Sequence, residues 1–115
     1  MHRGDIVTVS LDSALGSESS KTRPAVVVSN ETANDTATRL GRGVITVVPL
    51  TSNVARVYPF QVLLSARHTG LARDSKAQAE QVRSVAVQRI GKRLGRLPAA
   101  LMNELDQALR LHLGL

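Results

Sequence analysis

Asp5-Ile6-Val7-Thr8-Val9-Ser10-Leu11 alternates, with Val7, Val9 and Leu11 on one face and Thr8 and Ser10 on the other. Successive side chains of an extended backbone point to opposite sides, so this period of two reads as a half-buried strand. The stretches that follow extend the β reading. Pro24-Ala25-Val26-Val27-Val28-Ser29 is a continuous apolar run opened by a proline, as expected of a buried strand whose first residue needs no ladder donor. Residues 43–50 (Gly-Val-Ile-Thr-Val-Val-Pro-Leu) make a third strand and residues 59–65 (Pro-Phe-Gln-Val-Leu-Leu-Ser) a fourth.

Between these runs the composition changes. Residues 12–22 are rich in Ser, Gly, Asp, Glu and Lys without periodicity, which reads as a long loop of the kind that often carries function. Ser29 and Asn30 are suited to capping a short helical turn through Asp35, and residues 51–58 form a polar loop. From residue 66 to 90 the patterning fades: alternation over 75–82 is weak, and Ser84-Val-Ala-Val-Gln88 suggests one more strand. Leu97-Pro98 opens a helix, with Pro98 at its first position and Leu101, Met102, Leu105, Leu109 and Leu113 on one face. The expected fold is a small, mainly antiparallel β domain of the α+β class, one unit over residues 1–115, closed by a C-terminal helix.

Composition narrows the function. A chain of 115 residues has room for one core, and with 43% apolar but 2% aromatic residues that core must be aliphatic. Tyr58 and Phe60 are the only aromatic rings, so a nucleic acid would be held mainly through charge and hydrogen bonds. Fifteen Lys and Arg against nine Asp and Glu give +6, which favours polyanionic partners. The absence of cysteine excludes disulfides, thiol catalysis and thiolate metal sites. No apolar leader follows Met1, and no run of about 18 apolar residues occurs, so the expected location is the cytoplasm.

Five collinear stretches carry a resemblance. Arg3-Gly4-Asp5-Ile6-Val7, Gly16-Ser17-Glu18, Arg23-Pro24-Ala25-Val26-Val27, Val48-Pro49-Leu50-Thr51-Ser52 and Glu80-Gln81-Val82-Arg83 resemble, in order and spacing, the MazF/PemK toxins of type II toxin–antitoxin systems. The resemblance implies an SH3-like barrel that dimerises. It also implies ribosome-independent, metal-independent cleavage of single-stranded RNA at a short sequence, with 2′,3′-cyclic phosphate and 5′-hydroxyl ends and no cofactor. A cognate MazE-like antitoxin with a disordered acidic segment would cover the groove.

Such chemistry needs a proton taken from the ribose 2′-hydroxyl, a proton given to the leaving 5′-oxygen, and the phosphorane charge offset. Arg23 matches the family's charged catalytic residue; its planar fork suits two phosphate oxygens. Read alone it would be an ordinary strand-edge arginine. Thr51, by itself a strand-end hydroxyl, matches the second catalytic residue. Arginine is a poor base, which leaves the proton acceptor open; the resemblance implies an acidic side chain at the position of Glu80, which makes Glu80 the candidate for acid/base work or for holding RNA. Ser17, Glu18, Ser52, Asn53, Arg56, Ser75, Gln81 and Arg83 are expected to line the RNA groove. None of His2, His68 and His112 lies in a matched stretch. Two alternatives stay open: a gyrase poison of the same fold, which depends on a C-terminal tryptophan motif that this Trp-free chain lacks, and a non-catalytic RNA-binding module.

Overall fold

The computed structural model describes residues 1–11 and 22–115. Seven strands are present among them: β1 (Asp5–Ser10), β2 (Thr22–Val27), β3 (Val44–Thr51), β4 (Gln61–Leu64), β5 (Ser75–Gln78), β6 (Arg83–Ala86) and β7 (Ile90–Arg96). Three helices join them: α1 (Glu31–Leu40), α2 (Ala66–Thr69) and α3 (Ala99–Leu113). All pairings are antiparallel, in the order β4-β5-β3-β2-β1-β7, with β6 also paired to β3.

The register explains the core. Ile6 lies opposite Val26, which lies opposite Val48, and these three fully buried side chains form one row beneath α3. The alternate residues, Val7, Val9, Ala25, Val27 and Val47, make a second buried cluster with Ala37 of α1. The sequence led us to expect one core; there are two, one on each face of the same central strands. Strands covered on both sides become continuous apolar runs, which is why Val26-Val27 and Val47-Val48 show no alternation. On α3, Leu105 is fully buried and Leu101, Met102 and Leu109 pack against the first cluster, whereas Leu113 is exposed. Pro98 stands one place earlier than expected, as the cap residue outside the helix.

Other expectations shift by small amounts. The turn expected through Asp35 continues as a helix to Leu40, started by Asn30, whose side chain accepts from the Ala33 N–H at 2.8 Å. Pro24 is the third residue of β2, not the first, and pairs with Thr8. The β2–β3 ladder ends where Ala25 meets Pro49. Pro24 and Pro49 have no N–H to offer, so the two strands lose their donors at the same end. The β2–β3 ladder therefore ends just before Arg23 and Thr51, which remain paired to Val9 of β1 and Lys76 of β5.

Arg3-Gly4-Asp5 proves to be a structural clasp. Arg3 donates to the Val28 carbonyl and pairs with Asp106 of α3 at 2.7 Å, while the Gly4 N–H and C=O bond Val27 and Leu97. Gly4 needs its positive φ of 95° to make both bonds. The buried Asp5 accepts from the His2 N–H and has Arg93 of β7 at 3.3 Å. Beside it, the exposed Glu31 carboxyl is held below the usual carboxylate range by the Arg3 N–H and then by His2.

Candidate RNA-cleaving site

Continuing the β2–β3 register past its last pair sets Arg23 opposite Thr51, on the same face. Both line a cleft of about 480 Å³ with Ser52, Ser75 and Arg73. Arg23 also lines an adjoining cavity of about 260 Å³ with Gln78, Gln81 and Arg83. One guanidinium thus stands between two openings, with an exposed arginine in each. Among the described residues no carboxylate pairs with Arg23, Arg73 or Arg83, so the described lining of the site is positively charged.

Thr51 is half-buried, and its Oγ1 accepts the Asn53 N–H at 3.2 Å. That bond fills an acceptor position and leaves the hydroxyl proton available to an incoming oxygen. Ser75 is buried and donates to the Arg73 carbonyl at 3.2 Å, fixing the turn that carries Arg73.

The remaining candidates are spread more widely. Asn53 accepts from the Ala55 N–H, which commits its side chain to the loop, and neither Asn53 nor Arg56 lines the two clefts. Glu80 is placed beside Gln81 but outside both clefts: one carboxylate oxygen takes the Gln61 amide at 2.7 Å, and the other is buried with no hydrogen-bond partner among the described residues. Ser17 and Glu18 lie outside the described residues. Arg73 and Gln78 were not anticipated. Arg73 could have been noticed as a cation within the polar stretch before Ser75, but nothing in the local pattern marks Gln78.

The three histidines are elsewhere. His2 contacts Glu31, His68 bonds Ser65 at 2.7 Å, and His112 is exposed on α3. A separate cavity of about 430 Å³ between β7 and the end of α1 is lined by apolar side chains such as Val7, Val87 and Ile90 together with Asp5, Thr38 and Arg93, and none of the candidate residues reaches it.

Known proteins place these features in a family. The model of PemK-like, MazF-like toxins of type II toxin–antitoxin systems matches residues 2–113. Endoribonuclease MazF9 of Mycobacterium tuberculosis is 65% identical over 115 residues, covering 100% of this chain and 98% of its own length. Endoribonuclease EndoA of Bacillus subtilis is 31% identical, with 98% and 94% covered. Among solved structures, MazE–MazF of Deinococcus radiodurans superposes with a TM-score of 0.80 at 29% identity, over 100% of this chain and 96% of that one. With the seven-stranded antiparallel sheet, the helices and the arginine–threonine cleft in place, the chain belongs to the PemK-like, MazF-like toxins of type II toxin–antitoxin systems.

Proposed function

We propose that this protein is an endoribonuclease toxin that cuts single-stranded RNA without the ribosome and without a metal ion. The observation that carries this reading is that Arg23 and Thr51, just past the last β2–β3 pair, line the same arginine-rimmed cleft. The names of MazF9 and EndoA as endoribonucleases support it.

The chemistry is an internal transfer. The 2′-oxygen loses its proton and bonds to phosphorus, the P–O5′ bond breaks, and the 5′-oxygen takes up a proton. Products are a 2′,3′-cyclic phosphate and a 5′-hydroxyl, and no water is consumed. The phosphorane formed on the way carries extra negative charge on its equatorial oxygens. Arg23 offsets it through a fork already aimed by a paired strand, and Thr51 donates its free hydroxyl proton to the same group. Arg73 and Arg83 hold the strand on either side.

As an assembly, the reading is a homodimer silenced by a MazE-like antitoxin whose acidic segment lies across the basic clefts. The MazE–MazF structure of D. radiodurans supports that partner class. The test is incubation of purified protein with a long RNA in EDTA, with the ends mapped by primer extension. Discrete cuts bearing cyclic phosphate are expected, and Arg23→Ala should slow them by about 10²–10³, the usual cost of one transition-state donor. Absence of cuts in several unstructured RNAs, or an Arg23→Ala rate equal to wild type, would overturn the reading.

A further inference from the structure

The chain's only two aromatic rings have found each other. Tyr58 and Phe60 stack with centroids 5.4 Å apart and planes within 3°. Two cations gather on the same ring: the Arg56 guanidinium lies 5.7 Å and the Lys76 ammonium 5.8 Å from the Tyr58 centroid. Phe60 is partly buried, but Tyr58 remains 42% exposed.

The loop that presents these rings is fastened at both ends. Lys76 is only 8% exposed, and its ammonium donates to the Arg56 carbonyl at 2.6 Å. At the other end the Tyr58 N–H donates to Gln61, whose amide donates to Glu80. Neither Lys76 nor Gln61 belongs to the two apolar clusters, and burying an ammonium with no carboxylate partner among the described residues is costly. The arrangement is preorganised rather than incidental to packing. It is also adjacent to the cleft: Lys76 is the cross-strand partner of Thr51, and the loop between Thr51 and Tyr58 is short.

We propose that Tyr58, backed by Phe60 and flanked by Arg56 and Lys76, is a stacking subsite for one unpaired nucleobase of the RNA strand that passes through the Arg23–Thr51 cleft. The exposed part of the ring supplies an aromatic surface, the exposed Arg56 attracts the adjoining phosphate, and the buried Lys76 holds Arg56 in place, a combination of the kind by which proteins hold single strands. This inference rests on the ribonuclease reading for the identity of the strand. Because every base has a flat face, the subsite adds affinity without choosing sequence: it fixes how firmly a strand is held, not where it is cut.

With one tyrosine and no tryptophan, intrinsic fluorescence reports on Tyr58 alone. The probe is a short, fully 2′-O-methylated RNA of mixed sequence, which cannot be cut, compared with an abasic strand of equal length. Saturable quenching by the base-bearing strand and none by the abasic one is expected, after correction for absorption by the bases. Tyr58→Ala should bind the probe roughly five- to hundredfold more weakly and raise KM for a cleavable RNA by the same factor, with kcat and the cut sites unchanged, and Tyr58→Phe should restore KM. Circular dichroism checks that each variant is folded. Binding without quenching, or a folded Tyr58→Ala that binds as wild type does, overturns the subsite. Cutting without quenching leaves the nuclease reading standing alone, and quenching without cutting leaves only the subsite.

Discussion

Glu80 is one residue from Gln81, yet the two side chains serve different surroundings. Gln81 lines the cavity beside Arg23, whereas Glu80 receives the Gln61 amide and so helps hold the Tyr58 loop. A general base must reach the proton that it removes, and its loss costs about 10²–10⁴ in rate. A carboxylate that only accepts a hydrogen bond can be replaced by an amide that accepts the same bond. Glu80→Gln is therefore expected to keep kcat within about tenfold of wild type with an unchanged pH–rate profile; loss of the acid limb together with a larger fall in kcat would instead make Glu80 the base. At this scale the sequence revealed residue types but not company. Arg23 and Thr51 stood out only through a family resemblance, because their meeting depends on a register set across β2 and β3, far apart in the chain. Arg73 and Gln78 escaped notice because they enter the clefts through a turn and a short strand whose local pattern carries no signal.

The strand β7 shows what periodicity can miss. Ile90-Gly-Lys-Arg-Leu-Gly-Arg96 has two glycines and three cations, and read by itself it resembles a loop. In the fold it is the full-length partner of β1, with register shifts on either side of Val7, and its glycines sit where other chain segments come close. A Cβ on Gly95 would run into the Thr69 carbonyl at the end of α2, a backbone atom that cannot turn aside. A Cβ on Gly91 would meet the Thr8 hydroxyl, a side chain that can rotate at the cost of the bond it accepts from the Lys92 N–H at 3.0 Å. Gly95→Ala should thus destabilise by about 1–3 kcal/mol as β7 and α2 are forced apart, and Gly91→Ala by about 1 kcal/mol, the worth of one hydrogen bond. Thermal melts of the two variants measure the order; a Gly95→Ala protein as stable as Gly91→Ala would mean that the two segments separate freely. The strands that were legible, β1 to β4, carry runs of their own aliphatic side chains, and Ser84-Val-Ala-Val-Gln88 suggests β6. The illegible one depends on what is brought against it.

Across the whole molecule the charge of +6 is unevenly used. Arg3 and Arg93 are spent on Asp106 and Asp5, which tie β1 and β7 to the rest of the fold. Arg23, Arg73 and Arg83 line the two clefts with no carboxylate paired to them among the described residues, while Arg110 is exposed on α3 and lines neither cleft. A strand of RNA that gives up counterions to bound arginines loses affinity as salt rises, with a slope in log K against log salt of about 0.7 for each phosphate neutralised on a single strand. If the clefts are the RNA path, Arg73→Ala and Arg83→Ala should each weaken binding of the 2′-O-methylated probe and flatten its salt dependence by about 0.7. Arg110→Ala changes net charge equally but should leave the slope unchanged, because a distant charge contributes only through a field that salt screens within about 10 Å at 0.1 M. Fluorescence anisotropy over a salt series decides the point: equal slopes for all three variants would mean that the protein attracts RNA by overall charge, and the strand would have to be sought elsewhere on its surface.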